Sequence, residues 1–148
     1  MALGSLLSNR GAARSWERET AERSRLERQN VYAAFAAFAR EWRAAIMNAD
    51  VVIEPASTTS RHPHAVGGQA QIECLRLRAQ IALTSRSATT NAACDAVIAA
   101  LGALSRSRAA YEAGTVPDPV SSACRDAEAG FLAAARGELG IADDLASA

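Results

Sequence analysis

Neither glycine nor proline occurs between Gly11 and Pro55, the longest stretch of the chain without a helix breaker. Its second half places apolar residues three or four positions apart, which puts them on one face of a helix: Val31, Ala34, Phe35, Phe38, Trp42, Ala45 and Ile46. Its first half is rich in arginine and glutamate. The pattern predicts one helix over residues 11–50, about 60 Å long, whose C-terminal half faces a core. We expect its charged half to project beyond that core.

Three further helices are predicted, over residues 65–84, 87–113 and 118–139. The first has a stripe of Ile72, Leu75, Ala79 and Leu83, which Leu77 and Ile81 widen. Ser87 is a favourable N-cap for the second, and Asp118 with Pro119 behind it marks the start of the third. The apolar stripe of the second helix consists of Cys94, Val97, Ile98, Leu101, Leu104 and Tyr111. That of the third consists of Val120, Cys124, Ala127, Phe131 and Ala135.

The domain organisation follows from the segments between these helices. Residues 51–64 are polar and contain two prolines, which is typical of a loop. Residues 1–10 are predicted as a flexible N-terminus and residues 141–148 as a tail, so a single domain spans residues 11–140. Because short connections favour antiparallel neighbours, the predicted fold is an all-α antiparallel bundle of about four helices with an overlong, charged N-terminal helix.

The composition limits the classes of partner that we expect. All 16 basic residues are arginine and 16 acidic residues balance them, so no nucleic-acid partner is expected. The three cysteines lie far apart in alanine-rich surroundings, which indicates buried thiols and a cytoplasmic protein. No apolar run approaches the roughly 20 residues of a membrane span, so no spanning segment is predicted. Peripheral membrane association stays open, because the chain begins with apolar residues that include Leu3, Leu6 and Leu7.

Catalytic chemistry has little support. The chain has no nucleophile elbow, phosphate loop or dinucleotide fingerprint, and its only histidines are His62 and His64 in the predicted loop. Two histidines without further ligands at a suitable spacing make a poor metal site. We therefore predict no enzyme activity, no catalytic residues, no cofactor and no metal. The alternative is a small-molecule or metal-binding helical bundle, or an enzyme, that uses the His62/His64 loop.

Trp16 stands out in the charged half of the first helix. A tryptophan among arginines and glutamates either contacts a partner or packs on the stems of its neighbours. We name Trp16, Arg14, Arg18 and Arg25 as candidate partner-binding residues. The leading hypothesis is a non-enzymatic helical interaction or scaffold module that self-associates, or binds a protein partner, through the long first helix.

Three segments carry a resemblance to a known group of proteins: RQNVYAAF at residues 28–35, LRLRAQIAL at residues 75–83 and FLAAARGELG at residues 131–140. With the charged helix before them, they resemble uncharacterised alanine- and arginine-rich helical proteins of actinobacteria and of their phages. Some of those proteins carry a membrane-spanning helix ahead of the charged helix. The resemblance implies a helical fold and supplies no activity and no catalytic residues.

Overall fold

Four helices make up the fold in a computed structural model, which describes residues 3–48, 68–110 and 116–141. They are α1, Leu3–Asn48; α2, Gly68–Thr84; α3, Ala88–Ala110; and α4, Asp118–Leu139. No strand occurs in these three ranges. Alanine and arginine are among the strongest helix formers, and together they dominate the composition. The predicted all-α class is confirmed.

The long helix α1 begins earlier than we predicted. Its 46 residues start at Leu3, so residues 3–10 are helical where a flexible N-terminus was expected. A glycine inside a helix costs only about 1 kcal/mol relative to alanine, which does not end a helix. Gly11 therefore continues α1 toward the N-terminus. The predicted loop at 51–64 and residues 142–148 of the predicted tail lie outside the described residues.

Helix ends follow local capping. The Ser87 Oγ accepts a hydrogen bond from the Thr90 amide at 3.1 Å, as expected of an N-cap. The N-cap of α4 is Pro117 rather than Asp118, because the Pro117 carbonyl accepts the first helical hydrogen bonds. Pro119 fits in the first turn, where a missing N–H costs no helical bond. Gly140 ends α4 with a left-handed φ of 66°.

The four helices run alternately up and down. Arg43 on α1 pairs with Glu128 on α4, while Tyr32 bonds to Glu138 ten residues further along α4. The side chain of Cys124 on α4 donates to the Ala100 carbonyl of α3, and Thr90 donates to that of Ala134. Both pairs of contacts show that α4 is antiparallel to its neighbours. The Arg108 Nε donates to the Ile46 carbonyl at 3.1 Å, which brings the C-terminal part of α3 to that of α1.

The core is built around two phenylalanines whose rings meet edge to face. Phe35 of α1 and Phe131 of α4 are essentially inaccessible, with ring centroids 4.8 Å apart. Trp42 and Ile46 of α1 continue the core as predicted. Phe38 is only partly buried and lies at the edge of the cluster, because Phe35 and Ala39 occupy the centre of the helix face. Phe38 therefore lies on the core-facing side, as its place in the predicted stripe indicates, but contributes less buried area than Phe35.

The face of α2 that enters the core matches only part of the predicted stripe. Leu77 and Ile81, which widened that stripe, are buried together with Cys74, whereas Ile72, Leu75, Ala79 and Leu83 are exposed. With this face inward, Arg78 reaches Asp95 of α3 and Arg76 stays 59% exposed. The apolar pattern alone did not separate the two faces, since α2 is apolar on both.

Candidate interaction surface and the bundle end

The N-terminal part of α1 extends past the bundle. Arg25 marks the boundary, because its Nε donates to the carbonyl of Leu139, the last residue of α4, at 3.0 Å. Every residue from 10 to 23 is exposed. We call residues 3–23 of α1 the arm, a helix of roughly 31 Å. The projection that the sequence predicted is thus present.

Trp16 lies in the middle of the arm and is 70% exposed. The helix around it is regular, and the Thr20 hydroxyl donates to the Trp16 carbonyl at 2.8 Å. Tryptophan is enriched among the residues that dominate protein interfaces, since its ring buries a large area at low entropic cost. A tryptophan left in water on a projecting helix therefore suits a contact surface.

The three candidate arginines do not share one role. Arg14 and Arg18 are exposed and take part in no salt bridge within the described part of the chain. Arg25 instead belongs to the bundle end, where it binds the Leu139 carbonyl and pairs with Glu22 at 3.3 Å. The candidate surface on the arm is therefore reduced to Arg14, Trp16 and Arg18.

A buried carboxylate closes the bundle where the arm begins. One oxygen of Glu138 accepts hydrogen bonds from the Tyr32 hydroxyl and the Ser85 hydroxyl, each at 2.8 Å. The other accepts from the Arg86 amide at 2.9 Å and lies 3.8 Å from the Arg28 Nε. We call these five residues the Glu138 cluster. It ties α1, α4 and the turn between α2 and α3 together.

Electrostatics keep this carboxylate charged. Burial on its own would raise the pKa of Glu138, but the hydrogen bonds from Arg86, Tyr32 and Ser85 outweigh it and hold that pKa below its usual range. Burial raises the pKa of Tyr32 to about 12, so the phenol remains a donor. An ionised carboxylate that accepts hydrogen bonds from neutral side chains and a backbone amide stabilises the fold and does not form a proton-transfer pair.

The three cysteines are inert parts of the core. Cys74, Cys94 and Cys124 are free and buried, as the sequence predicted. Burial raises the pKa of the first two thiols to about 12 and that of Cys124 to about 11. A nucleophilic cysteine needs a depressed pKa, so these thiols have the opposite character.

Potential metal ligands do not cluster in the ranges 3–48, 68–110 and 116–141. These ranges contain no group of three or more histidine, cysteine or acidic side chains that could hold a metal. A cleft between α1, α3 and α4 encloses about 10 Å³, room for a single water molecule, and its lining includes Phe35 and Phe131. His62 and His64 lie outside the described residues, so the loop hypothesis is untested.

Helix α3 is more apolar than the sequence analysis recognised. Residues 88–108 are long and apolar enough to cross a membrane by length and composition, with a mean hydropathy of 1.2 over the relevant window. The alanines supply much of this value, and Cys94, Val97, Leu101 and Leu104 bury one side of the helix in the bundle. The core helix of a soluble bundle has the same properties, so this observation is weak evidence for a membrane.

Two features escaped the sequence reasoning. The Glu138 cluster joins residues more than 50 positions apart, and nothing in the local pattern around Glu138 marks it. The outward apolar face of α2 had a visible signal, since its residues formed the stripe that we assigned to the core.

Comparison with protein family models, curated proteins and solved structures finds no significant match to this chain.

Proposed function

We propose that this protein is a non-enzymatic helical interaction module whose arm contacts a second copy of the chain or another protein. One observation carries the proposal: fourteen consecutive helical residues, 10–23, are exposed on every side of α1. These residues add nothing to the core, so we infer that the exposed helix serves a contact with another molecule.

The energetics of an isolated helix support this. A free helix of about this length is marginal in water, and pairs of charges on its surface add only tenths of a kcal/mol each. Arg14 and Arg18 are one turn apart and repel each other. A partner helix that covers Trp16 and neutralises these arginines stabilises the arm as it binds.

The chemistry of the arm defines the partner. Trp16 requires an apolar position opposite its ring, and the two unpaired arginines require carboxylates nearby. A second arm offers both, because Ala12 and Ala13 lie close to Trp16 along the helix and Glu17, Glu19 and Glu22 interleave with the arginines. An antiparallel pairing that sets Ala13 of one arm opposite Trp16 of the other also places Arg10 of one copy beside Glu19 of its partner. The contact is small, so association is expected to depend on concentration.

Trp16 itself reports on the contact. The only other tryptophan, Trp42, is 2% exposed, and its Nε1 has no hydrogen-bond partner in the described part of the chain. The substitution Trp42→Phe therefore leaves no acceptor unsatisfied and makes Trp16 the single indole probe. As the protein concentration rises, we expect the emission of Trp16 to shift to the blue and its quenching by iodide to fall.

A matched control separates the arm from the rest of the surface. Sedimentation of Trp16→Ala should show weaker association than the parent, whereas Arg125→Ala, an exposed position on α4, should leave it unchanged. If Trp16 stays fully quenchable at every concentration and Trp16→Ala sediments like the parent, the self-associating form of the proposal is wrong. A contact with a different protein is then the only form left.

A further inference from the structure

Helix α2 is apolar on two opposite sides, and only one of them is covered. The inward side carries Cys74, Leu77 and Ile81, which are at most 3% exposed. On the outward side Ile72 is 60%, Leu75 47% and Leu83 87% exposed, and Ala79 between them is also in solvent. We call Ile72, Leu75, Ala79 and Leu83 the α2 outer face. A helix that is apolar all round is normally enclosed by other helices.

The charges beside this face are already paired within the chain. On one flank Glu73 accepts from the Arg76 Nε at 2.8 Å, and on the other the Arg78 Nη2 donates to Asp95 of α3 at 2.9 Å. The outer face is therefore an uncharged strip bounded by neutral pairs. No unpaired charge beside this strip opposes its burial against another apolar surface, including an identical strip.

The arrangement of the four side chains is self-complementary. Leu75 and Leu83 lie four residues before and four residues after Ala79. If two α2 helices cross antiparallel about a two-fold axis at Ala79, each Leu75 meets Leu83 of the second copy. The small alanines at the axis allow the two backbones to approach closely, as ridge-and-groove packing requires.

Charge complementarity favours the same antiparallel alignment. Glu73 lies near the start of α2, and Arg86, which is exposed, follows its end. The two-fold arrangement brings Arg86 of one copy to the Glu73–Arg76 pair of the other, where both guanidinium groups share the Glu73 carboxylate, twice per dimer. The parallel alignment sets Glu73 beside Glu73, which is unfavourable.

We propose that the α2 outer face docks onto the same face of a second copy of this chain, antiparallel and about a two-fold axis at Ala79. Closed two-fold contacts of this kind are the commonest in soluble oligomers. An apolar strip of this size falls within the few hundred Å² typical of a functional patch and below the roughly 1,200 Å² of a standard stable interface. The dimer therefore forms weakly. This contact does not depend on the arm.

Sedimentation of the full-length chain from low to high micromolar concentration tests the contact. The parent protein should show a monomer–dimer equilibrium. Ala79→Glu sets two carboxylates against each other at the axis and should weaken dimerisation more than about tenfold. Leu83→Gln, at the most exposed apolar position, provides a second disruptive variant should Ala79→Glu impair folding. Arg125→Ala, an exposed position on α4, is the control and should leave this equilibrium unchanged. Trp16→Ala removes the arm contact and should still dimerise through the α2 outer face, so both disruptive variants are also made in the Trp16→Ala background.

A crosslinking experiment checks the geometry. Because the native thiols are buried and poorly ionised, a new surface cysteine is the reactive one. At a two-fold axis the Cβ atoms of Ala79→Cys lie within reach of a disulfide. Mild oxidation should convert Ala79→Cys to a covalent dimer faster than it converts Ala123→Cys, a control at an exposed position of α4 outside both surfaces.

Each outcome decides between the two surfaces. A dimer that persists in Trp16→Ala and is dissolved in that background by Ala79→Glu or Leu83→Gln supports the α2 contact. A parent that stays monomeric throughout overturns it and leaves the outer face to another segment of the chain or to a foreign protein. A dimer that survives Ala79→Glu and is lost in Trp16→Ala also overturns it, and assigns self-association to the arm alone.

Discussion

At the scale of single residues, Phe35 holds the core together. It is fully buried against Phe131, whereas Phe38 on the same helix lies at the edge of the cluster. Phe35→Ala should lower the free energy of unfolding by about 3–5 kcal/mol, as expected for deletion of a buried aromatic ring. Phe38→Ala should cost less, roughly 1–2 kcal/mol, because less area is lost. Urea denaturation of both variants measures the difference, and equal losses would contradict this assignment.

Glu138 makes the stability of the bundle sensitive to acid. Its folded-state pKa lies below that of the unfolded chain, so the charged form stabilises the fold above the unfolded pKa. That contribution is lost as the pH falls through the folded pKa. Glu138→Gln should destabilise the protein by about 1–3 kcal/mol at neutral pH, since buried donors lose an ionised acceptor.

The matched measurement is the thermal midpoint of parent and variant between pH 7 and pH 3. The gap between the two should narrow as the pH drops. Glu128→Gln, whose carboxylate pairs with Arg43 elsewhere on α4, controls for the loss of any salt bridge. A gap that stays constant with pH would show that Glu138 is not the ionised acceptor of the cluster.

The reactivity of the three cysteine thiols tests whether they are buried in the core. With a pKa of about 12, Cys74 and Cys94 are ionised to only about one part in ten thousand at pH 8, and both are buried. A colorimetric disulfide reagent should therefore react slowly with the folded protein and at once with three thiols after denaturation. Rapid reaction of one thiol under native conditions would place that cysteine at the surface.

At the scale of helices, α1 divides into two parts with separate duties. Removal of residues 1–23 deletes the arm and keeps Ser24, whose hydroxyl accepts from Arg28 at 2.9 Å, and the Arg25 contact with Leu139. The truncated chain should unfold cooperatively, with a stability within about 0.5 kcal/mol of the parent, as for other changes far from a core. Calorimetry tests this, and a broad or absent transition would make the arm part of the folding unit.

The helices also show how far sequence patterns reach. The stripe of α4 was predicted correctly, because Cys124, Phe131 and Ala135 form the only apolar face that this helix has. The stripe of α2 was predicted only in part: Leu77 and Ile81 are buried, but the other four residues face solvent. Two apolar faces compete in this helix, and only the neighbouring helices determine which one is buried. The start of α1 was misplaced, since a single glycine is a weak stop signal.

At the scale of the molecule, the all-α class and the projecting helix follow from helix propensity and periodicity, which are local properties. The Glu138 cluster does not, because it depends on three elements that meet only in the fold. The same holds for the candidate site. Trp16 can be identified from the sequence, whereas the hydrogen bond from Arg25 to the Leu139 carbonyl cannot. The arm and the α2 outer face are separate surfaces, so the two proposed contacts can be tested separately.

The central claim is that the arm is a contact surface outside the folding unit. Hydrogen–deuterium exchange of the full-length protein at low and high concentration tests it most directly. In dilute solution the amides of residues 3–23 should exchange far faster than those of residues 31–46, which face the core. At high concentration the arm should gain protection while the core is unchanged. An arm as protected as the core in dilute solution would contradict the claim, and an arm equally unprotected at both concentrations would contradict its self-associating form.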